Sequence, residues 1–313
     1  MPSLQQLRYL AALAETLHFR RAAELTNVTQ PTLSAQLKEM EHRLGAQLVE
    51  RSRSRVLLTP VGEEIAARAK RILREVEDIR VIARQASPLS GTIRVGVVQS
   101  LGSYLMPLII PDLHESHPDL RLYMREALAE TLIDNLENGT LDILFFPLPL
   151  DMQDIETVPL FSEPLRVVLS RDHRLAGHDA IPPDALAGET ILTLEKGHRL
   201  YDQVRVLADT YHAKLSHDFE GTSLDTLRQM VAMGMGITFL PALYVRSEVT
   251  REPLVVHRPV AGHEPARLVG MAWRRSTARA DEYRDLSEII AGILAVRAPE
   301  VSMRDAGARV QSV

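Results

Sequence analysis

The side chains with the clearest chemical use lie in two short stretches near the N-terminus. Thr29-Gln30-Pro31-Thr32-Leu33-Ser34-Ala35-Gln36-Leu37-Lys38 sets hydroxyl, amide and ammonium groups between apolar residues. At about 100° per residue, Leu33, Leu37, Met40 and Leu44 share one face, and Pro31, Thr32, Ser34, Ala35, Lys38 and His42 share the other. Small hydrogen-bonding side chains suit a helix that lies in the major groove and reads base edges. A two-helix corner with a solvated polar face has the same spacing. In the second stretch, Arg51, Arg53 and Arg55 alternate within a polar turn between Leu48-Val49 and Val56-Leu57-Leu58. Such a hairpin presses guanidinium groups against phosphate or into the minor groove. A solvated charged turn is the plainer alternative.

Other chemistry is thinly represented. There is no cysteine, so disulfides, thiolate catalysis and cysteine-based redox sensing are excluded. His114 and His117 have metal-like spacing without an evident third ligand. No P-loop, GxSxG or HExxH stretch occurs, and no carboxylate pair stands out as catalytic. The chain reads as a non-enzyme without a cofactor.

The elements that position the first two stretches follow from periodicity. Leu4, Leu7, Leu10, Ala11, Ala14 and Leu17 predict a supporting helix over 4–17, stapled by Phe19. Ala22, Ala23 and Leu25 allow a close helix crossing, and Arg20 and Arg21 stand where a DNA backbone would pass. Thr29 can cap the next helix, and Pro31 costs little in its first turn. Thr59-Pro60 opens a further helix to about Ala86. Ile65, Ala69, Ile72, Val76, Ile79 and Ala83 form a heptad seam, as two-helix association requires. Packing on its own domain is the alternative for that helix.

Beyond the Ser87-Pro88-Leu89-Ser90-Gly91 break, strands alternate with helices, which predicts βαβ units and a parallel sheet. The expected strands lie at Ile93–Val97, 120–124, 141–146, 165–170, 190–194, near 218–220, 237–240 and 268–273. The expected helices lie at 103–117, 129–138, 200–212, 223–233 and 280–295. The expected organisation is a DNA-binding unit over 1–59, a dimerising helix over 60–87 and a hinge at 88–91. A first lobe then takes 92–162 and 267–300, a second takes 163–266, and a loose tail takes 301–313.

Charge divides along the same boundary. The chain of 313 residues carries −5 overall, but residues 1–90 hold 14 basic and 10 acidic side chains. The basic part holds the DNA-reading stretches. No signal-peptide pattern or membrane-spanning run is present, which predicts a cytoplasmic protein with no membrane partner.

These residues resemble the LysR-type transcriptional regulators. The matching positions are Phe19, Ala22-Ala23, Leu25, Thr29 through Ser34, Gln36-Leu37, Glu41, Leu44-Gly45, Leu48, Glu50-Arg51, Thr59 and Gly62. The resemblance implies a multidomain α+β chain: a winged helix-turn-helix, a dimerising linker helix and an α/β two-lobed effector domain of the periplasmic-binding-protein type. It also implies promoter DNA as partner, homodimers assembling to a homotetramer, and RNA polymerase as a candidate partner. The effector part resembles the peroxide-sensing OxyR branch at Pro107 through Pro111, Gly197-His198, Asp202-Gln203, Thr222-Ser223-Leu224 and Gly236 through Leu243. Arg199 stands where that branch has its peroxidatic cysteine, and Ala208 where it has the second.

A ligand is expected between the lobes, near strand ends. Ser100 and the amides of Leu101, Gly102 and Ser103 open a helix, which attracts an anion. The resemblance sets His198 and Arg199 facing the same cleft. The expected effector is a small anion held by these residues, with Asp202 either at the site or paired with Arg199. Met230, Met233 and Met235 offer methionine oxidation as an alternative switch, or simply fill core. A solute-binding protein is a more distant alternative.

Overall fold

The computed structural model describes residues 1–51, 55–83, 89–262 and 264–303. They form two compact units, one ending with the linker helix and one running from Leu89 onward.

The first unit comprises α1 (Leu4–Thr16), α2 (Phe19–Leu25), α3 (Gln30–Leu44), β1 (Val49–Arg51), β2 (Val56–Leu58) and α4 (Pro60–Ala83). Ser3 and Gln6 form a reciprocal capping box that starts α1. Leu10, Leu13, Leu33, Leu37, Met40 and Ala69 are fully buried in one core. The expected face of α1 is rotated: Leu4 and Leu17 are each 46% exposed, whereas Leu13 is fully buried. Leu17 leaves the helix as a left-handed cap, and Gln6 is buried because its amide donates to Gln36 on α3. The stripe on α3 ends at Met40; Leu44 is its last residue and is exposed, as is Leu25 at the end of α2. On α4, Ala69 enters the core and Ile65 packs against it, while Ile72 and Ile79 are exposed. The seam therefore lies partly on its own unit and partly bare.

The second unit comprises β3 (Gly91–Val98), α5 (Gly102–Ser116), β4 (Leu120–Ala127), α6 (Ala129–Glu137), β5 (Ile143–Leu148), β6 (Ile155–Ser170), β7 (Thr190–Leu194), α7 (Arg199–Thr210), β8 (Lys214–Gly221), α8 (Leu224–Ala232), β9 (Thr238–Pro241), α9 (Ala242–Ser247), β10 (Val255–Arg258), β11 (Ala266–Arg274), α10 (Ala280–Arg297) and β12 (Ser302–Met303). β3 pairs in parallel with β4 and β5, as βαβ connections require. The sheet as a whole is mixed: β11 lies antiparallel between β5 and β6, and β6 continues antiparallel to β9 and β10. The expected all-parallel sheet fails because the chain crosses between lobes on β6 and returns beside it on β11. The first half of β6, and all of α9, β10 and β12, escape the periodicity.

Two cores result. Ile93, Val95, Phe145, Phe146, Trp273 and Ile290 belong to the first lobe. Val167, Ile191, Val204, Leu227 and Phe239 belong to the second. The expected loose tail over 301–313 starts too early, because Val301 is buried and Ser302–Met303 pair as β12 with β6; residues 304–313 lie outside the described residues. No helix among the described residues is long and apolar enough to cross a membrane.

Candidate nucleic-acid interface and inter-lobe site

α3 is built to present side chains. Thr29 is its N-cap, accepting from the Thr32 amide at 3.4 Å and sharing a 2.8 Å hydrogen bond with the Thr32 hydroxyl. Gln30, Pro31, Thr32, Ala35 and Lys38 are exposed and Ser34 is half-buried, while Leu33 and Leu37 anchor the opposite face. Arg20 on α2 is exposed and pairs with Glu24 at 3.2 Å. Such surface pairs contribute little, so the guanidinium is only weakly held by Glu24.

The wing is held to α3 by a residue that periodicity alone leaves unassigned. Glu41 accepts from the backbone amides of Leu48 and Val49 at 2.9 and 3.0 Å. One carboxylate oxygen thus fixes where the β1–β2 hairpin leaves the helix. The hairpin pairs Val49 with Leu58 and Arg51 with Val56. Arg55 is exposed. Arg53 and the Arg51 side chain lie outside the described residues. Gly62 completes the joint: a Cβ there would stand 2.0 Å from the Leu48 carbonyl oxygen. Only glycine lets α4 approach β1 so closely.

In the second unit, the end of β3 is already engaged. Ser100 is buried, and Arg267 donates to its hydroxyl at 2.7 Å and its carbonyl at 2.9 Å. Arg267 also meets Glu163 at 2.8 Å, with both side chains fully buried, and Glu163 accepts from the Leu243 amide at 2.9 Å. This cluster ties β3, β6, β11 and α9 together. The expected anion cradle at residues 100–103 is correspondingly filled by the chain itself. The Leu101 amide donates to the Val98 carbonyl. The Glu126 carboxylate accepts from the Ser103 hydroxyl at 3.3 Å and stands where a Cβ on Gly102 would go.

Across the cleft, His198 is the N-cap of α7 and is buried. Burial lowers its pKa below the usual imidazole value, against the pull of Glu195 at 3.7 Å. Arg199 does not pair with Asp202, which is exposed. It reaches the first lobe instead: its Nη2 donates to the Pro149 carbonyl at 3.1 Å, and its guanidinium lies 5.7 Å from the Phe146 ring centre. Its Nε is buried without a hydrogen-bond partner, as is the Oε1 of Gln203 one turn on. Tyr104 on α5 meets Tyr244 on α9 edge-on at 5.0 Å, a second contact between lobes. Met233 and Met235 are 70% and 46% exposed, whereas Met230 packs on the second core. His114 and His117 sit near the end of α5, and among the described residues no group of three His, Asp or Glu is placed to hold a metal ion.

A winged helix-turn-helix followed by a long helix and a two-lobed α/β unit defines a DNA-binding transcriptional regulator with an effector-binding domain. Residues 4–63 match the bacterial regulatory helix-turn-helix protein, lysR family, and residues 86–294 match the LysR substrate binding domain. The chain belongs to the LysR family. It is 40% identical to the DNA-binding transcriptional dual regulator OxyR of Escherichia coli strain K12, over 92% of this chain and 94% of that one. Among solved structures it resembles full-length OxyR from Pseudomonas aeruginosa carrying a cysteine-to-aspartate change, at 36% identity and a TM-score of 0.80, covering 97% and 98% of the two chains. It also resembles a peroxide-bound cysteine-to-serine mutant of Corynebacterium glutamicum OxyR, at 30% identity and 0.67, covering 96% and 95%. This chain is OxyR-like but has no cysteine.

Proposed function

We propose that this regulator binds promoter DNA in the cytoplasm as a homodimer, pairing further to a homotetramer, and is switched by a small molecule held between its effector lobes. The observation that carries the reading is the exposed polar face of α3, capped by Thr29 and set beside an arginine-bearing wing. Gln30, Thr32, Ser34 and Lys38 read base edges, while Arg20, Arg51, Arg53 and Arg55 hold phosphate. The bare apolar positions of α4, Ile72 and Ile79, form the dimer seam. A dimer presents two recognition helices to two half-sites. RNA polymerase is the partner through which such a complex acts on transcription. The effector shifts the population toward the quaternary state it binds better.

Footprinting of the protein on its own upstream region tests this. The expected result is a salt-sensitive footprint over two half-sites, with Thr32→Ala or Ser34→Arg altering base preference by about 1–3 kcal/mol at a base pair. Absence of salt-sensitive affinity for any promoter fragment overturns it. Exposure of Met233 and Met235 favours a second reading, in which peroxide converts their thioethers to sulfoxides. A footprint that changes with peroxide in the wild type but not in Met233→Leu/Met235→Leu would establish it.

A further inference from the structure

Three arginines of the second unit show how this fold satisfies a guanidinium. Arg279 gives Nε and Nη2 to the two oxygens of Glu282, both at 2.6 Å. Arg284 gives the same two nitrogens to Glu156 at 3.0 Å each, and Arg297 gives them to Asp112 at 3.1 and 2.8 Å. Nε and Nη2 form one edge of the planar group, and a carboxylate fits it side-on.

Arg199 uses that edge otherwise. Nη2 donates to the neutral Pro149 carbonyl, and Nε is buried with no partner. Among the described residues no carboxylate pairs with it; Asp202 is exposed, and Glu195 lies against His198. A guanidinium taken partly out of water without a counter-charge is costly, and the Phe146 ring offsets only part of that. Gln203, one turn along α7, has a buried amide oxygen without a partner. A half-turn of that amide exchanges its acceptor for a donor.

We propose that the Nε–Nη2 edge of Arg199, together with Gln203, binds the carboxylate of a small organic acid. The inference rests on the proposed effector-switched regulator and names the effector's chemical class. Nη2 carries two N–H groups, so the acid takes the one beside Nε while the other can keep the Pro149 carbonyl. Binding at this junction favours the state of the effector unit in which α7 and the segment after β5 meet. The acid carries one acidic group, because a second one reaching the start of α5 would meet the Glu126 carboxylate.

The test is isothermal titration of the full chain with acetate, pyruvate and benzoate, with acetamide and benzamide, and with inorganic phosphate. At least one acid should bind about tenfold or more tightly than its amide. Arg199→Met should remove that preference, whereas Arg205→Met, on the exposed face of the same helix, should bind the acid as the wild type does. Gln203→Leu keeps the guanidinium and should weaken the acid by a smaller factor, so the inference stays testable if Arg199→Met fails to fold. Equal affinity for acid and amide, tighter binding of phosphate than of every acid, unaltered acid affinity in Arg199→Met, or no binding of any acid at millimolar concentration would each overturn it. Promoter footprinting on the same samples separates the two levels. A retained footprint with no acid binding removes only this inference, and no footprint at all removes the regulator reading.

Discussion

Glu163→Gln probes the joint between the lobes. In the wild type one carboxylate oxygen accepts from Arg267 at 2.8 Å and the other from the Leu243 amide at 2.9 Å. The substituted amide has a single oxygen. If that oxygen keeps Leu243, its NH2 faces the Arg267 Nε donor to donor; if it turns, the Leu243 amide is left without a partner. In either pose Arg267, fully buried, loses its counter-charge, and breaking one side of a buried pair costs about 3–5 kcal/mol. For a unit of this size each kcal/mol lowers Tm by roughly 2–4 °C, so its calorimetric transition should fall by roughly 6–20 °C. The double variant Glu163→Met/Arg267→Met removes both charges and should recover part of the loss; the Leu243 amide and the Ser100 carbonyl that it leaves without partners should keep it below the wild type. A single variant melting within about 2 °C of the wild type, a loss of about 1 kcal/mol or less, would refute the assignment of this pair as the joint.

Other outcomes follow from the same geometry. Gly62→Ala forces a methyl onto the Leu48 carbonyl and should destabilise the DNA-binding unit by about 1–3 kcal/mol or more, read by urea denaturation and by lost promoter affinity. Arg55→Ala should weaken binding to all sequences alike and reduce the slope of log affinity against log salt by about 1; a change confined to base preference would remove Arg55 from the phosphate contacts. His257 is held below its ordinary value of 6.5 by burial, then by the nearby Arg166 and Arg258 charges. Its contribution to stability is therefore complete above 6.5 and is lost as pH falls below it. Tm should drop on acidification through that range, and His257→Gln should flatten the drop.

The DNA-reading half was legible because its signals are local. A threonine cap, a proline in the first turn and a hydrophobic stripe are all decided within one or two helical turns, and the structure returns α3 with them. What periodicity cannot weigh is how a helix is rolled by its neighbours. Gln6 is buried because Gln36, 30 positions on, receives it, and that displaced Leu4 from the expected face. The same limit is sharper in the effector unit. Glu163 and Arg267 are charged residues that composition assigns to the surface, yet they meet across 104 positions inside the fold. The part of β6 before Leu165 carries Pro159, Glu163 and Pro164, which obscure a strand that pairs on both sides. The anion cradle at residues 100–103 was read from helix geometry. Glu126 and Arg267, which come from other strands, decide what fills it.

The course of β6 and β11 also bears on how the protein emerges during synthesis. The core of the first lobe needs Trp273, Tyr283, Leu286 and Ile290 from the end of the sequence, packed against Ile93 and Phe145 made long before. The second lobe and the DNA-binding unit draw on nearly continuous stretches. On a ribosome the DNA-binding head can close first and the second lobe next. The half of the effector unit translated earliest must wait, partly open, for the last helix to arrive.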